Sequence, residues 1–199
     1  MAKSSRERIL DAAERHFAEK GFSAASIGDI ADDVGIRGPS LYKHFATKAD
    51  LYHAVARRLL DPYFELLGTL LEPPTDGAAA AQNLELVARH YYDTPNLARL
   101  VQHAALAGGP ELDVLVKQWF NPFLRRAAQL TSQVPALGKR DPRHAAYVVM
   151  AFHDIMSGYI TMAPLHRKLL GEDPLSKRAR ERHLAFLRTL AGALWMAPG

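Results

Sequence analysis

Ile9, Ala12, Ala13, His16 and Phe17 fall at i, i+3, i+4, i+7 and i+8, the spacing that collects side chains on one face of an α-helix. This period recurs through the chain, and no segment alternates apolar and polar residues between hairpin turns as a half-buried strand would. The sequence therefore predicts an all-α protein. With 48% hydrophobic residues over 199 positions there is ample material for a packed core. Cysteine is absent, which excludes a disulfide, a thiolate zinc site and a cysteine nucleophile, and fits a reducing, cytoplasmic setting. Charges are mixed through the N-terminal segment, unlike a secretory signal. The longest apolar run, AAYVVMAF at 145–152, is far short of the roughly 18–20 residues that span a bilayer, so no membrane association is expected.

Helix boundaries are written in the capping residues. Ser4 with Glu7 forms a capping box, and Lys20-Gly21 supplies a stop. Ser26 with Asp29 repeats the pattern ahead of the stripe Ile27, Ile30, Ala31 and Val34, which Gly35 ends as a left-handed stop residue. Thr47 and Asp50 cap a helix carrying Leu51, Val55, Leu59 and Leu60, which Pro62 should interrupt or kink. PPTDG at 73–77 reads as a linker. Helices are expected over 78–92, 95–107 and 111 to about 133 (kinked at Pro122), then from 142 to about 162, and last from 173–174 to about 195.

Two short helices joined by a turn at Gly35, behind an amphipathic helix and ahead of a capped one, have the layout of a helix-turn-helix over about 26–45. Pro39 suits the first turn of the second short helix, where a missing amide costs nothing. Gly38 would let the backbone approach whatever lies in front. Leu41 and Phe45, four apart, should face the core and leave Ser40, Tyr42, Lys43 and His44 on the other side. Charge alone does not identify a nucleic-acid binder: the formal net charge is +4, yet residues 1–50 hold eight Lys/Arg and eight Asp/Glu.

Residues 8–55 resemble the N-terminal domain of TetR-type transcriptional regulators. The likeness runs through Ile9-Leu10, Ala12-Ala13, Phe17, Gly21-Phe22, Ser26, Ile30-Ala31, Val34-Gly35, Leu41-Tyr42, His44-Phe45, Lys48 and Leu51, and covers about 50 of 199 residues. It implies that the helix at about 38–45 enters the major groove of double-stranded DNA. On that footing Arg37 would pair with guanine, Ser40 and His44 would reach base edges, and Pro39 would touch a thymine methyl. Tyr42, Lys43, Ser26 and Lys48 would hold phosphates. A lysine at the positive start of a helix is unfavourably placed, and a bound phosphate would account for Lys48. Family members often carry Thr where Ala25 stands, and a Ser-Lys-Gly-Thr-like run where Arg37-Gly38-Pro39-Ser40 stands. These departures bear on the operator sequence and leave the fold alone.

The resemblance further implies a division into a DNA-binding domain at 1–60 and a helical effector-binding and dimerisation domain at 61–199. His90, Tyr91, Tyr92, His103, Trp119, Phe120, Phe123, Phe152, His153, Met156 and Tyr159 are the candidates for lining an effector pocket, and would suit an apolar molecule with a few polar anchors. The stripes Ala146, Val149, Met150, His153, Ser157 and Leu184, Leu187, Leu190, Ala191, Leu194 would pair with their copies in a homodimer. The basic cluster Lys177, Arg178, Arg180 and Arg182 reads as a solvated face. No HExxH, nucleophile elbow or phosphate-binding glycine loop is present, and no metal, other cofactor or catalytic group is implied. The expectation is a dimeric regulator, commonly a repressor in this family, released from a near-palindromic operator by a small-molecule effector. The competing readings are a helical enzyme or ligand carrier, and a helical interaction protein, either of which would keep the N-terminal fold without reading an operator.

Overall fold

A computed structural model describes residues 3–71, 76–132 and 144–196. Among them are eleven α-helices, one π-helical turn and no strand. Helix α1 (Ser5–Ala24) starts at the expected capping box: Ser4 Oγ accepts from the Glu7 amide at 3.2 Å, and Glu7 Oε2 accepts from the Ser4 amide at 2.8 Å. The ring of contacts holds Glu7's carboxyl below its usual range, chiefly through the Ser4 amide. Gly21, at φ 75° and ψ 173°, breaks the helix where a stop was expected, and a last turn follows it. Helix α2 (Ile27–Asp33) is capped by Ser26, whose Oγ accepts from the amides of Gly28 and Asp29. The carboxylate of Asp29 does not close a box; it meets Lys20 Nζ at 3.2 Å instead.

Helix α3 (Gly38–Tyr42) is shorter than the expected 38–45. The amides of His44 and Phe45 both turn back on the Leu41 carbonyl, so the chain leaves the helix at Lys43 and reaches Phe45 as a tightened turn. Leu41 and Phe45 are buried beside Ile9, Ala13, Phe17, Ile30, Leu51 and Val55 and form the core of the first three helices. Such a set anchors a five-residue helix that could not persist alone in water.

Helix α4 (Lys48–Thr69) runs for 22 residues through Pro62 without interruption. Of the expected interruption or kink, the interruption is absent. Proline forfeits one hydrogen bond, but buried Leu59, Leu60 and Tyr63 on either side hold the helix together. Helices α5 (Gly77–Asp93), α6 (Pro95–Ala107) and α7 (Gly109–Leu115) follow. The π turn at Val116–Phe120 then leads into α8 (Asn121–Ser132). This turn stands where a kink at Pro122 was expected: the Asn121 amide bonds Val116 O, and the wider turn absorbs the residue that cannot donate. Helices α9 (His144–Thr161), α10 (Ala163–Leu170) and α11 (Lys177–Met196) complete the order. The sequence reading passed over α10, although Pro164 in its first turn and left-handed Gly171 at its end mark both boundaries.

Helix α6 is the pivot of the assembly. It lies against α1 on one side and α9 on the other, with buried Leu97, Ala98, Leu100, Val101 and Ala104 filling both seams. Helix α11 packs chiefly along α5. Among the described residues no helix is long and apolar enough to cross a membrane.

Candidate nucleic-acid interface and aromatic interior

Two of the three acids of α2 are paired with bases of α1. Lys20 meets Asp29, and Arg15 Nη2 and His16 Nε2 meet Asp33 at 3.1 and 3.2 Å. These contacts, led by the one from Arg15, hold the Asp33 carboxyl below the usual range. Arg8 reaches across to donate to the Val34 carbonyl at 2.6 Å and so caps the C-terminus of α2. By contrast, no ion pair among the described residues involves Arg37, Lys43 or Lys48. Arg37, at the N-cap of α3, makes no side-chain capping bond. The first fifty residues are neutral in sum, yet their unpaired cations gather at α3.

Around α3 the packing leaves Arg37, Pro39, Tyr42, Lys43 and His44 exposed, with Gly38 and Ser40 half-buried. Tyr42 is 50% exposed although Leu41 beside it is fully covered, so its ring is spared from the core. Ser26 is exposed at the head of α2, its hydroxyl already accepting two amides. Lys48 has a partner within the chain. Its Nζ donates to the Ser23 carbonyl at 3.3 Å and lies 4.6 Å from the centre of the Phe22 ring. The negative C-terminal end of α1 thus offsets the unfavourable start of α4, and a phosphate is no longer required to explain this lysine. Arg6, which sequence reasoning missed, lies over Phe45 with its guanidinium carbon 4.9 Å from the ring centre. It adds a cation at the foot of α3, and nothing in the linear spacing signals a contact between residues so far apart.

The candidate pocket residues separate into three places. Around Tyr63 and Phe64 of α4 the structure brings together His90, Tyr91, Phe120, Phe123 and His153. The Tyr91 hydroxyl is 3.2 Å from that of Tyr63 and 2.6 Å from His153 Nδ1. Burial pushes Tyr63 up to about 12 and His153 down, so both are neutral near pH 7. Burial also lowers His90, whose Nε2 is buried with no partner among the described residues. Trp119 belongs to the same wall through Nε1, which donates to Asp61 at 2.7 Å. Phe152 packs half-buried against this core and Met156 is fully buried within it.

Tyr159 stands elsewhere. Its ring stacks on His183 at 3.7 Å and 6°, its hydroxyl donates to the Pro174 carbonyl, and the hydroxyl of Tyr92 lies 2.6 Å from His183 Nδ1. His103 belongs to neither group and sits between α6 and α1 beside Gly21. Tyr63, Phe64 and His183 were not among the candidates. The adjacent aromatics just after Pro62 were the available signal.

Residues 9–55 match the family described as bacterial regulatory proteins, tetR family. Across 186 residues the chain is 27% identical to the HTH-type transcriptional repressor BdcR of Escherichia coli, covering 89% of this chain and 80% of that protein. The N-terminal segment thus matches the TetR family over about a quarter of the chain. Over shorter spans it is 34% identical to the transcriptional activator FasR of Mycolicibacterium smegmatis, covering 44% of this chain and 39% of that protein. It is also 33% identical to the repressor KstR2 of Rhodococcus jostii, covering 51% and 47% respectively. The matched region thus spans less than half the length of these two relatives. Among solved structures, the TetR family regulator PfmR of Thermus thermophilus superposes with a TM-score of 0.68 at 17% identity, over 100% of this chain and 99% of that one.

The helix pair α2–α3 lies inside the matched segment and has the layout of a helix-turn-helix, with Asp29 and Asp33 paired on its α1 side. On α9, Tyr147, Met150 and Ile155 are exposed at 60%, 52% and 37%, and Phe186 on α11 at 61%. These side chains form outward apolar faces, while Met156, Ile160, Leu184 and Leu187 of the same helices are buried within the subunit. Leu184 and Leu187, assigned to the dimer stripe from sequence, therefore serve the subunit's own core. Of the other stripe residues, Ala146, Val149, Ala191 and Leu194 lie outside the described side chains.

Proposed function

We propose that this chain is a DNA-binding transcriptional regulator that reads a near-palindromic operator as a homodimer. The observation that carries the reading is α3: Arg37, Tyr42, Lys43 and His44 stand exposed on and beside a helix pinned by buried Leu41 and Phe45, while Asp29 and Asp33 of the neighbouring helix are paired with Lys20 and Arg15. Arg37 supplies the fork that matches O6 and N7 of guanine, with Ser40 and His44 beside it for base edges and Pro39 for a thymine methyl. Tyr42, Lys43, Ser26 and, as its hold on the Ser23 carbonyl exchanges, Lys48 grip phosphate. The exposed apolar faces of α9 and α11 meet their copies in the dimer, and twofold symmetry repeats the half-site.

An effector acts through the interior around Tyr63 and Tyr91, where unpartnered His90 Nε2 offers a polar anchor among aromatic rings. Release from DNA follows if the effector prefers a dimer whose two α3 helices no longer match the groove spacing. Named relatives include repressors and an activator, and repression is the reading adopted here.

Selection from random duplex DNA tests this. The expected result is an enriched palindrome whose guanine contact Arg37→Ala relaxes, with a loss of about 1–3 kcal/mol for the selected site. Absence of any enriched sequence at low salt would overturn the regulator. Uniform weakening on all sequences by Arg37→Ala would remove its base-reading role.

A further inference from the structure

Helices α1 and α6 touch directly at two levels. Asn96 Nδ2 donates to Glu14 Oε1 at 2.9 Å, and seven residues further along both helices Gly21 faces the His103 ring. Gly21 has no side chain to interpose, and a Cβ built there would come within 3.1 Å of His103 Nδ1. Alongside these two contacts lies a cleft of about 530 Å³, lined in part by Arg15, Glu19, Asn96, Arg99, Gln102 and His103.

The cleft's charged side chains are Arg15, Arg99 and Glu19, and none of them pairs with another. Arg15 is already committed, to Asp33 and to the Asp11 carbonyl. Arg99 is half-buried, and its only hydrogen bond among the described residues is to the side-chain carbonyl of Asn96 at 3.1 Å. No carboxylate of the described chain pairs with it. A guanidinium withdrawn partly from water, with most of its donors unused, is matched by a carboxylate in fork geometry. Gln102 and His103 add neutral polar groups next to it, and the volume lies in the range of sites for small organic molecules. The lining is polar, in contrast to the aromatic interior around Tyr63.

We propose that this cleft is a second ligand site, selective for a small organic acid whose carboxylate pairs with Arg99 and whose polar body meets Gln102 and His103. The molecule would bridge the first helix of the helix-turn-helix unit and the central helix of the C-terminal body. Glu19 limits the affinity by setting a carboxylate opposite the ligand's own. The site does not depend on operator reading, because its occupation is measurable without DNA.

Citrate and succinate are the probes, titrated by calorimetry into the full chain at constant ionic strength, with inorganic phosphate and sodium chloride in parallel. Saturable binding of one molecule per chain by citrate or succinate is expected. Arg99→Gln should weaken it at least tenfold, Gln102→Leu should weaken it less, and Glu19→Gln should tighten it, each with an unchanged circular-dichroism spectrum. The opposite sign at Glu19 separates ligand contact from damage to the fold. No saturable binding of either acid, equal affinity of Arg99→Gln, or phosphate binding as tightly as the organic acids would each overturn the assignment.

Discussion

Replacing Gly21 with alanine tests the contact between α1 and α6. At φ 75° and ψ 173° the residue occupies a region that is essentially confined to glycine, at a cost of about 1–3 kcal/mol for any other residue. The new methyl would also lie 3.1 Å from His103 Nδ1, so the imidazole must yield by a few tenths of an ångström. Overpacking of this order costs about 1 kcal/mol more. The smaller entropy of the unfolded alanine chain returns roughly 0.4–1 kcal/mol. The net expectation is a loss of about 2–3 kcal/mol, or roughly 5–10 °C in Tm for a chain of this size. Thermal melts of the wild type, Gly21→Ala, His103→Ala and the double variant form a cycle. The coupling should recover the steric part, about 1 kcal/mol, and leave the backbone part in place. A Tm for Gly21→Ala within about 1 °C of wild type would refute the backbone reasoning, and a coupling of zero would refute the contact with His103.

Truncating Leu41 to alanine should cost about 2–5 kcal/mol and abolish operator binding in a gel shift, since this fully buried side chain holds α3. Arg58 bridges Asp11 Oδ1 and Glu14 Oε2 and also donates to the Leu10 carbonyl, tying α4 to α1. Arg58→Met should lower the urea midpoint by the equivalent of about 1–3 kcal/mol, with partial recovery on adding Glu14→Gln. Tyr91→Phe should cost about 1–3 kcal/mol in the same assay, because His153 Nδ1 and the Tyr63 hydroxyl both lose their partner. Burial, helped by the charge of His166, pushes His183 down to about 4 from 6.5. The unfolded chain therefore binds the extra proton between those values: stability is full above about pH 6.5 and falls as pH drops toward 4. The decline of Tm over that window should be shallower in His183→Gln, and an unchanged slope would refute the buried, neutral imidazole.

Local chemistry made much of the N-terminal unit legible. Ser4, Ser26 and Thr47 cap the helices they were expected to cap, and Gly35 takes the positive φ of 70° that a stop residue needs. Capping depends on atoms three residues apart, so it survives without knowledge of the fold. Where a side chain had a distant partner, local spacing did not reveal it: Asp29 meets Lys20 instead of closing a box, and Lys48 meets the Ser23 carbonyl. The end of α3 was misjudged because Leu41 and Phe45 keep helical spacing even though the backbone between them has already left the helix. The pocket candidates shared a residue type but not a location. Which aromatic meets which is decided by how α4, α5, α6, α9 and α11 pack, and a single sequence carries no record of that. Hence His103 stands apart from the other candidates, and Tyr159 meets Tyr92 and His183 rather than the group around Tyr63.

The unbroken course of α4 has a mechanical consequence. At 1.5 Å per residue its 22 residues make a rod about 33 Å long, with Tyr63 and Phe64 on its fifth turn, about 23 Å from its start. A tilt of about 5° about one end sweeps the other through roughly 3 Å, close to the 3.4 Å step between bases along a strand. A hinge at Pro62 would have dissipated such a rotation. Because α4 continues unbroken through Pro62, a tilt set at one end of the rod is carried to the other.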